Sequence, residues 1–175
     1  EKNQEVYSGE IEELQLDFEN LSPDVCPKIT FLKLEIDKNP NKYKEYLENY
    51  FKDLNLNKNN FFTDISNYLS YETGQPTHCY DSTKINGNLV FNELNINDEF
   101  ETLLDKKINL TEKNSVFLLN NEVINLAGVV GGKNTSCSSK TMSVLVECAF
   151  FKPEAIMGKS LKYDIQSEAS HKFER

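Results

Sequence analysis

The sequence predicts an α+β fold: a mixed, largely antiparallel sheet with flanking helices. Three features carry that expectation. Short apolar stretches alternate with period two, as half-buried strands do. Turn pairs such as Asn86-Gly87 and Asn120-Asn121 stand beside those stretches, and pairs of this kind join strands as hairpins. Two further stretches carry their apolar side chains at helical spacing. Leu, Ile, Val and Phe fill 49 of the 175 positions, enough to close a core in a chain of one-domain size.

Taken in order, residues 1–24 form an acidic lead-in with weak alternation at Leu14, Leu16 and Phe18. Residues 28–36 alternate more sharply: Ile29, Phe31, Leu34 and Ile36 are apolar, with Lys28, Lys33 and Glu35 between or beside them. That pattern predicts a strand. Asn39-Pro40 is expected to open a helix whose apolar stripe is Tyr43, Tyr46, Leu47, Tyr50, Phe51 and Leu54. A second helix is expected over 61–71, burying Phe62, Ile65 and Leu69. It stops at Thr73-Gly74-Gln75-Pro76, because proline lacks the amide and restricts its predecessor. Strands are expected at 89–91, 115–119 and 122–127, the last two joined at Asn120-Asn121. Residues 144–150 read as a strongly apolar strand, and Pro153 then opens a helix at its favoured first position.

Charge narrows the function. Nineteen Lys and Arg face 28 Asp and Glu, a net charge of −9, and Arg175 is the single arginine. Phosphate contacts supply most of the affinity of a free-standing nucleic-acid binder, so such a protein normally shows a basic face. If this chain meets nucleic acid, most of the phosphate binding comes from elsewhere. The excess of lysine and the 21 asparagines read as the imprint of an AT-rich genome. No apolar run approaches the roughly 20 residues of a bilayer span, and no charged-then-apolar leader opens the chain. Neither a membrane partner nor a signal peptide is expected. Cys26, Cys79, Cys137 and Cys148 form no CxxC, and the two histidines add no ligand pair, so reduced thiols and no metal site are expected. The absence of an initial Met and the abrupt stop at Lys172-Phe173-Glu174-Arg175 suggest a piece of a longer protein.

Three places could carry chemistry. Glu147 is the lone carboxylate in Ser143-Val144-Leu145-Val146-Glu147-Cys148-Ala149-Phe150. Alternation puts it on one face with Leu145 and Ala149, and since neither face is polar the strand is expected to be buried on both. A buried carboxylate must be compensated, so it accepts backbone amides or a lysine, or it meets a ligand. The run Ala127-Gly128-Val129-Val130-Gly131-Gly132-Lys133-Asn134 is glycine-rich but is no phosphate loop. Ala127 stands where the first glycine belongs and Asn134 where Ser or Thr would bind magnesium. A tight turn bringing backbone amides close to a ligand fits better. His78 lies in a loop after the helix stop, where a neutral imidazole can place a water or serve only as structure.

Four motifs in order resemble the editing module of bacterial phenylalanyl-tRNA synthetase β-subunits. Thr63-Asp64-Ile65-Ser66-Asn67-Tyr68 with Gly74-Gln75-Pro76-Thr77-His78 resembles D-[IV]-T-N-Y…G-Q-P-x-H-A-F-D. Ala127-Gly128-Val129-Val130-Gly131-Gly132 is similar to A-G-V-M-G-G, and 145–151 to L-x-E-x-A-x-F. Ser167-Glu168-Ala169-Ser170-His171-Lys172-Phe173-Glu174-Arg175 is similar to T-E-A-S-x-R-F-E-R. The resemblance implies an acidic segment 1–24 followed by an editing domain over 25–175. It implies hydrolysis of tyrosine from misacylated tRNA(Phe), with His78 and Glu147 as the catalytic pair. Ser66, Asn67, Ala127, Gly128, Ser167 and Ala169 would bind substrate. The implied partners are the tRNA 3′ end and the ligase α-subunit in an α2β2 assembly in the cytoplasm. No cofactor is implied for this domain, while the whole ligase uses ATP and magnesium.

The sequence departs from the family pattern at several positions. Asn57 stands near where the family has an arginine, with Lys58 beside it; Ser66 and Ser167 replace threonines; Tyr80 replaces the Phe of H-A-F-D; Lys172 replaces an arginine. The loss of a cation at Asn57 keeps two other functions in view, a catalytically inactive structural module of the ligase and a free-standing deacylase acting in trans. The net charge argues against the second.

Overall fold

In a computed structural model the protein is described over residues 12–175. Residues 1–11 of the acidic lead-in lie outside that range. Its end supplies β1 (Phe18–Asn20), which pairs in parallel with β4 (Leu89–Asn95) at the edge of a five-stranded sheet. β7 (Lys113–Leu119), β8 (Glu122–Leu126) and the short β9 (Val130–Gly131) continue that sheet antiparallel. The Asn120-Asn121 turn is as the sequence predicts. Both residues take left-handed φ, 51° and 70°, the conformation a two-residue hairpin demands.

A second sheet is three-stranded. β10 (Ser143–Phe150) runs between β2 (Lys28–Glu35) and β3 (His78–Asp81), antiparallel to both. Its register sets Glu147 directly opposite Phe31 on one side and His78 on the other. β5 (Asp98–Glu101) and β6 (Lys107–Leu110) form a separate ribbon. One apolar cluster joins all three, with Tyr80 and Leu145 from the second sheet, Phe91, Phe117 and Leu126 from the first, and Phe100 and Leu110 from the ribbon. The fold is thus mixed and mostly antiparallel, with helices at its margins.

Three expectations need correction. The first helix, α1 (Glu45–Asp53), begins five residues after Pro40. The segment before it is held elsewhere: the Asn39 amide donates to the carbonyls of Ser139 and Thr141, each at 3.0 Å. Of the expected stripe only Leu47 and Phe51 are buried, and Tyr46 is 60% exposed. α2 (Phe61–Thr73) has its asparagine N-cap and its left-handed Gly74 stop, yet it is rotated from the expected face. Phe62, Asp64, Ser66 and Ser70 are buried while Leu69 is exposed. Hydrogen bonds turn it: Asp64 accepts from the Tyr43 hydroxyl (2.6 Å) and the Asn59 amide (2.8 Å). Finally, β10 is fully buried on one face and only in part on the other, where Val144 is buried and Val146 and Cys148 are half-buried. Leu145, Glu147 and Ala149 face the core, whereas Phe150 on the other side is 60% exposed. α2 covers that outer face over β3 and leaves Leu32 and Leu34 of β2 open to solvent.

Candidate functional site

A cleft of about 530 Å³ opens between α2, the start of β3, the turn before β9, the loop after β5 and α5 (Glu168–Phe173), which follows the single-turn helices α3 (Pro153–Ile156) and α4 (Lys159–Lys162). Ser66, Asn67, His78, Gly128, Glu147, Ser167 and Ala169 all line it, although the chain separates the first from the last by about a hundred residues. Ala127 does not. It is buried in the core behind the turn, its amide donating to the Ser115 carbonyl at 3.0 Å, so its expected place among the lining residues is corrected. Among the described residues no group of three or more His, Cys, Asp or Glu is arranged to hold a metal ion.

Glu147 is 4% exposed and has a partner, but not a lysine. The Tyr80 hydroxyl donates to Glu147 Oε2 at 2.8 Å, and the Asn125 side-chain amide donates to the Tyr80 oxygen at 2.7 Å and to Glu147 Oε2 at 3.4 Å. Tyr80 lies on β3 and Asn125 on β8, so this polar trio bridges the two sheets through the core. Oε1 receives no hydrogen bond from any described residue and opens on the cleft. Burial pushes the Glu147 carboxyl up to about 7, with the Tyr80 bond acting in the opposite direction. Burial first, and then the charge of Glu147, holds the Tyr80 phenol well above its ordinary range, so Tyr80 keeps its proton and stays the donor.

His78 packs edge-on to Tyr80, ring centres 4.4 Å apart. Its residue surface is half-buried, but Nε2 is enclosed and finds no partner among the described residues. Burial lowers its pKa to about 4, so the ring is neutral near pH 7. The ring lies tight on the turn. A Cβ at Gly131 would fall 2.2 Å from His78 Cε1, which is why only glycine fits there. Gly128 has a left-handed φ of 70° and an amide that donates to no described residue.

Two serines and a lysine fasten the frame. Ser66 Oγ lies 2.8 Å from both the carbonyl and the hydroxyl of Thr77, fixing the residue before His78. Ser167 Oγ donates to the Val129 carbonyl at 2.6 Å while capping α5, which ties that helix to the glycine turn. These bonds need only the hydroxyl that serine shares with threonine. Lys172 donates to the Ser70 carbonyl (2.6 Å) and hydroxyl (2.9 Å), joining α5 to α2. Asn67 is exposed at the cleft wall, and so is Asn57.

Among the described residues no lysine or arginine lines the cleft; Asn57, Asn59, Asn60, Asn67 and Asn125 do. Lys58 turns away to Glu48 at 2.7 Å. The cleft therefore suits a neutral ligand with hydrogen-bonding groups rather than a phosphate. Sequence reasoning missed Asn125, Tyr80 as the partner of Glu147, and the leucines Leu103 and Leu104 at the rim. Asn125 had a signal of the same kind as Glu147, one polar residue in the apolar run Val123-Ile124-Asn125-Leu126-Ala127. The leucines had none. All four cysteines are free thiols, and burial pushes Cys26, Cys79 and Cys137 up to about 12.

The chain belongs to the B3/4 domain family, whose model matches residues 26–175. Its relatives are β-subunits of phenylalanine–tRNA ligase, of which this chain is a B3/4 segment. The β-subunit of Neisseria meningitidis serogroup B is 38% identical over 112 residues, 64% of this chain and 14% of that protein. That of Ehrlichia canis is 35% identical over 132 residues, 75% of this chain and 17% of that protein. The chain thus spans about a seventh of the length of such relatives. An N-terminal fragment of the phenylalanyl-tRNA synthetase β-subunit from Pyrococcus horikoshii shares the fold, with a TM-score of 0.58 and 9% identity. The likeness covers 82% of this chain and 46% of that one. No helix among the described residues is long and apolar enough to cross a membrane.

Proposed function

We propose that this chain is the editing module of a phenylalanine–tRNA ligase β-subunit and hydrolyses tyrosine from misacylated tRNA(Phe). One observation carries the reading: a buried carboxylate, Glu147, presents a free acceptor oxygen to a cleft that no described lysine or arginine lines. A tyrosine hydroxyl donating to Oε1 satisfies it, whereas phenylalanine leaves it unpaired. A site built to bond a hydroxyl rejects the analogue lacking it by about 10⁴-fold, far beyond what an apolar synthetic pocket achieves against one added hydroxyl. In the step itself, water adds to the ester carbonyl carbon and the bond to the ribose oxygen breaks. The amino acid leaves as its carboxylic acid, and the water's second proton goes to the ribose oxygen. Neutral His78, a lining residue of the cleft, is the group to orient that water, and the unpaired Gly128 amide is a donor for the oxyanion. Asn67 and Ala169 would border the terminal adenosine and the amino acid.

The step requires no cofactor of its own; ATP and magnesium belong to the aminoacylation reaction of the ligase. The phosphates of the tRNA would be held by the rest of the α2β2 assembly in the cytoplasm, in keeping with the net charge of −9. Asn57 at the cleft wall favours a second reading, an inactive structural module, since no cation is there to hold the tRNA end. One experiment separates them: single-turnover deacylation of tyrosyl-tRNA(Phe) by the full ligase, wild type beside Glu147→Ala, with phenylalanyl-tRNA(Phe) as control. Release of tyrosine that the variant loses, with the control unchanged, is the expected result. Background rates in wild type would leave the structural module.

A further inference from the structure

We infer that Tyr80, anchored by Asn125, is a positioning residue that sets Glu147 as a single-acceptor reader of the substrate hydroxyl. The inference rests on the editing reading above and adds to it a residue that the expected site did not contain.

Glu147 has two oxygens and one is already engaged. Oε2 takes the Tyr80 hydroxyl at 2.8 Å and, more weakly, the Asn125 amide at 3.4 Å. No described cation bonds it, so these two neutral donors are what compensates the buried carboxylate. Tyr80 is fully buried and cannot swing away, and its own oxygen is held by Asn125 at 2.7 Å from the opposite sheet. The carboxylate plane is thereby pinned with Oε1 toward the cleft. One incoming donor fits, which is what a phenolic hydroxyl offers. In the motif the chain resembles this position is Phe, so the hydroxyl belongs to this chain and Tyr80→Phe returns a side chain that the fold accommodates.

Tyr80 also sets the pH at which the reader works. From β3, His78 faces Glu147 alongside Tyr80, while Cys79 between them turns to the other side of the sheet toward the Phe62 carbonyl; from β10 its neighbour is Cys148; Cys26 approaches from the segment between β1 and β2. His78 is neutral above about 4, and the thiols of Cys26 and Cys79 are pushed up to about 12. Tyr80 stays protonated. Of these groups only Glu147 changes charge close to pH 7. Losing the Tyr80 donor destabilises its ionised form and shifts its titration upward.

The test compares wild-type full ligase with Tyr80→Phe in single-turnover tyrosine release from tyrosyl-tRNA(Phe) between pH 6 and 9. A ¹³C carboxyl titration of Glu147 in the 175-residue chain accompanies it. The acid limb of the variant's profile is expected to move up by about one pH unit, with about a fivefold loss at pH 7 that is largely regained at pH 9. The carboxyl midpoint should move with it, and phenylalanyl-tRNA(Phe) hydrolysis should stay unchanged. A merely structural role for Tyr80 would lower the rate equally at every pH. Coincident profiles and midpoints in the two proteins, with wild type active, would overturn the inference alone. A wild type inactive at every pH would overturn the editing reading and the reader role with it. The carboxyl midpoint would then still show whether Tyr80 controls Glu147.

Discussion

The Glu147→Gln substitution removes an ionisable group from the core while keeping its length and its acceptor for Tyr80. In the folded chain the carboxyl holds its proton up to about pH 7, whereas the unfolded chain releases it near 4.5. Rising pH therefore ionises the unfolded state first, and wild type loses stability through that window. At about 1.4 kcal/mol per pH unit the full loss is about 3 kcal/mol by pH 8. His78 acts in the opposite sense. Its pKa falls from 6.5 unfolded to about 4 folded, so acid takes up protons on the unfolded chain and removes a similar amount of stability between those values. The two slopes nearly cancel in wild type, whose contribution from this pair is almost flat from pH 4 to 8. Glutamine leaves the histidine slope exposed. Urea unfolding of wild type and variant at pH 5 and pH 8 should show the variant's advantage growing by about 2.5 kcal/mol from the lower pH to the higher. The variant itself should lose about 2 kcal/mol on going from pH 8 to pH 5. A difference between the two proteins that stays constant within about 0.5 kcal/mol across this range would refute the argument that Glu147 is a desolvated acid titrating near neutrality.

Gly131→Ala forces its methyl to 2.2 Å from His78 Cε1, so the ring must leave its place. Tyrosine release should fall at least about tenfold and stability by about 1–3 kcal/mol, read by deacylation and urea unfolding. Unchanged kinetics would show that the position of His78 is immaterial. Asn57→Arg puts a cation on the cleft wall, and the KM for tyrosyl-tRNA(Phe) should drop about threefold at low salt with the gain fading as salt is raised. An effect independent of salt would exclude a phosphate contact.

Local chemistry made much of this protein legible in its sequence. The Gly74 stop, the Asn120-Asn121 turn and the strand with a lone carboxylate are each written in neighbouring residues, because backbone conformation and face polarity are short-range properties. The motif residues of the cleft could be named for the same reason. What the sequence could not carry is which side of an apolar element another element covers. α2 shows apolar side chains on more than one face, and a buried Asp64 bonded to Tyr43, 21 positions away, decides its rotation. β10 is apolar on both faces, but one is roofed along its whole length and the other only in part. Ala127 lies behind the turn because Ser115 of the neighbouring strand claims its amide. Glu147 could be singled out alone, yet its state depends on Tyr80 and Asn125, 67 and 22 positions distant. Sequence by itself determined most of the longer elements and a carboxylate that did not belong in its strand. Only the packing of two sheets decided that its partners are two neutral donors, because a desolvated carboxylate takes its protonation and its direction from whatever the tertiary fold places against it.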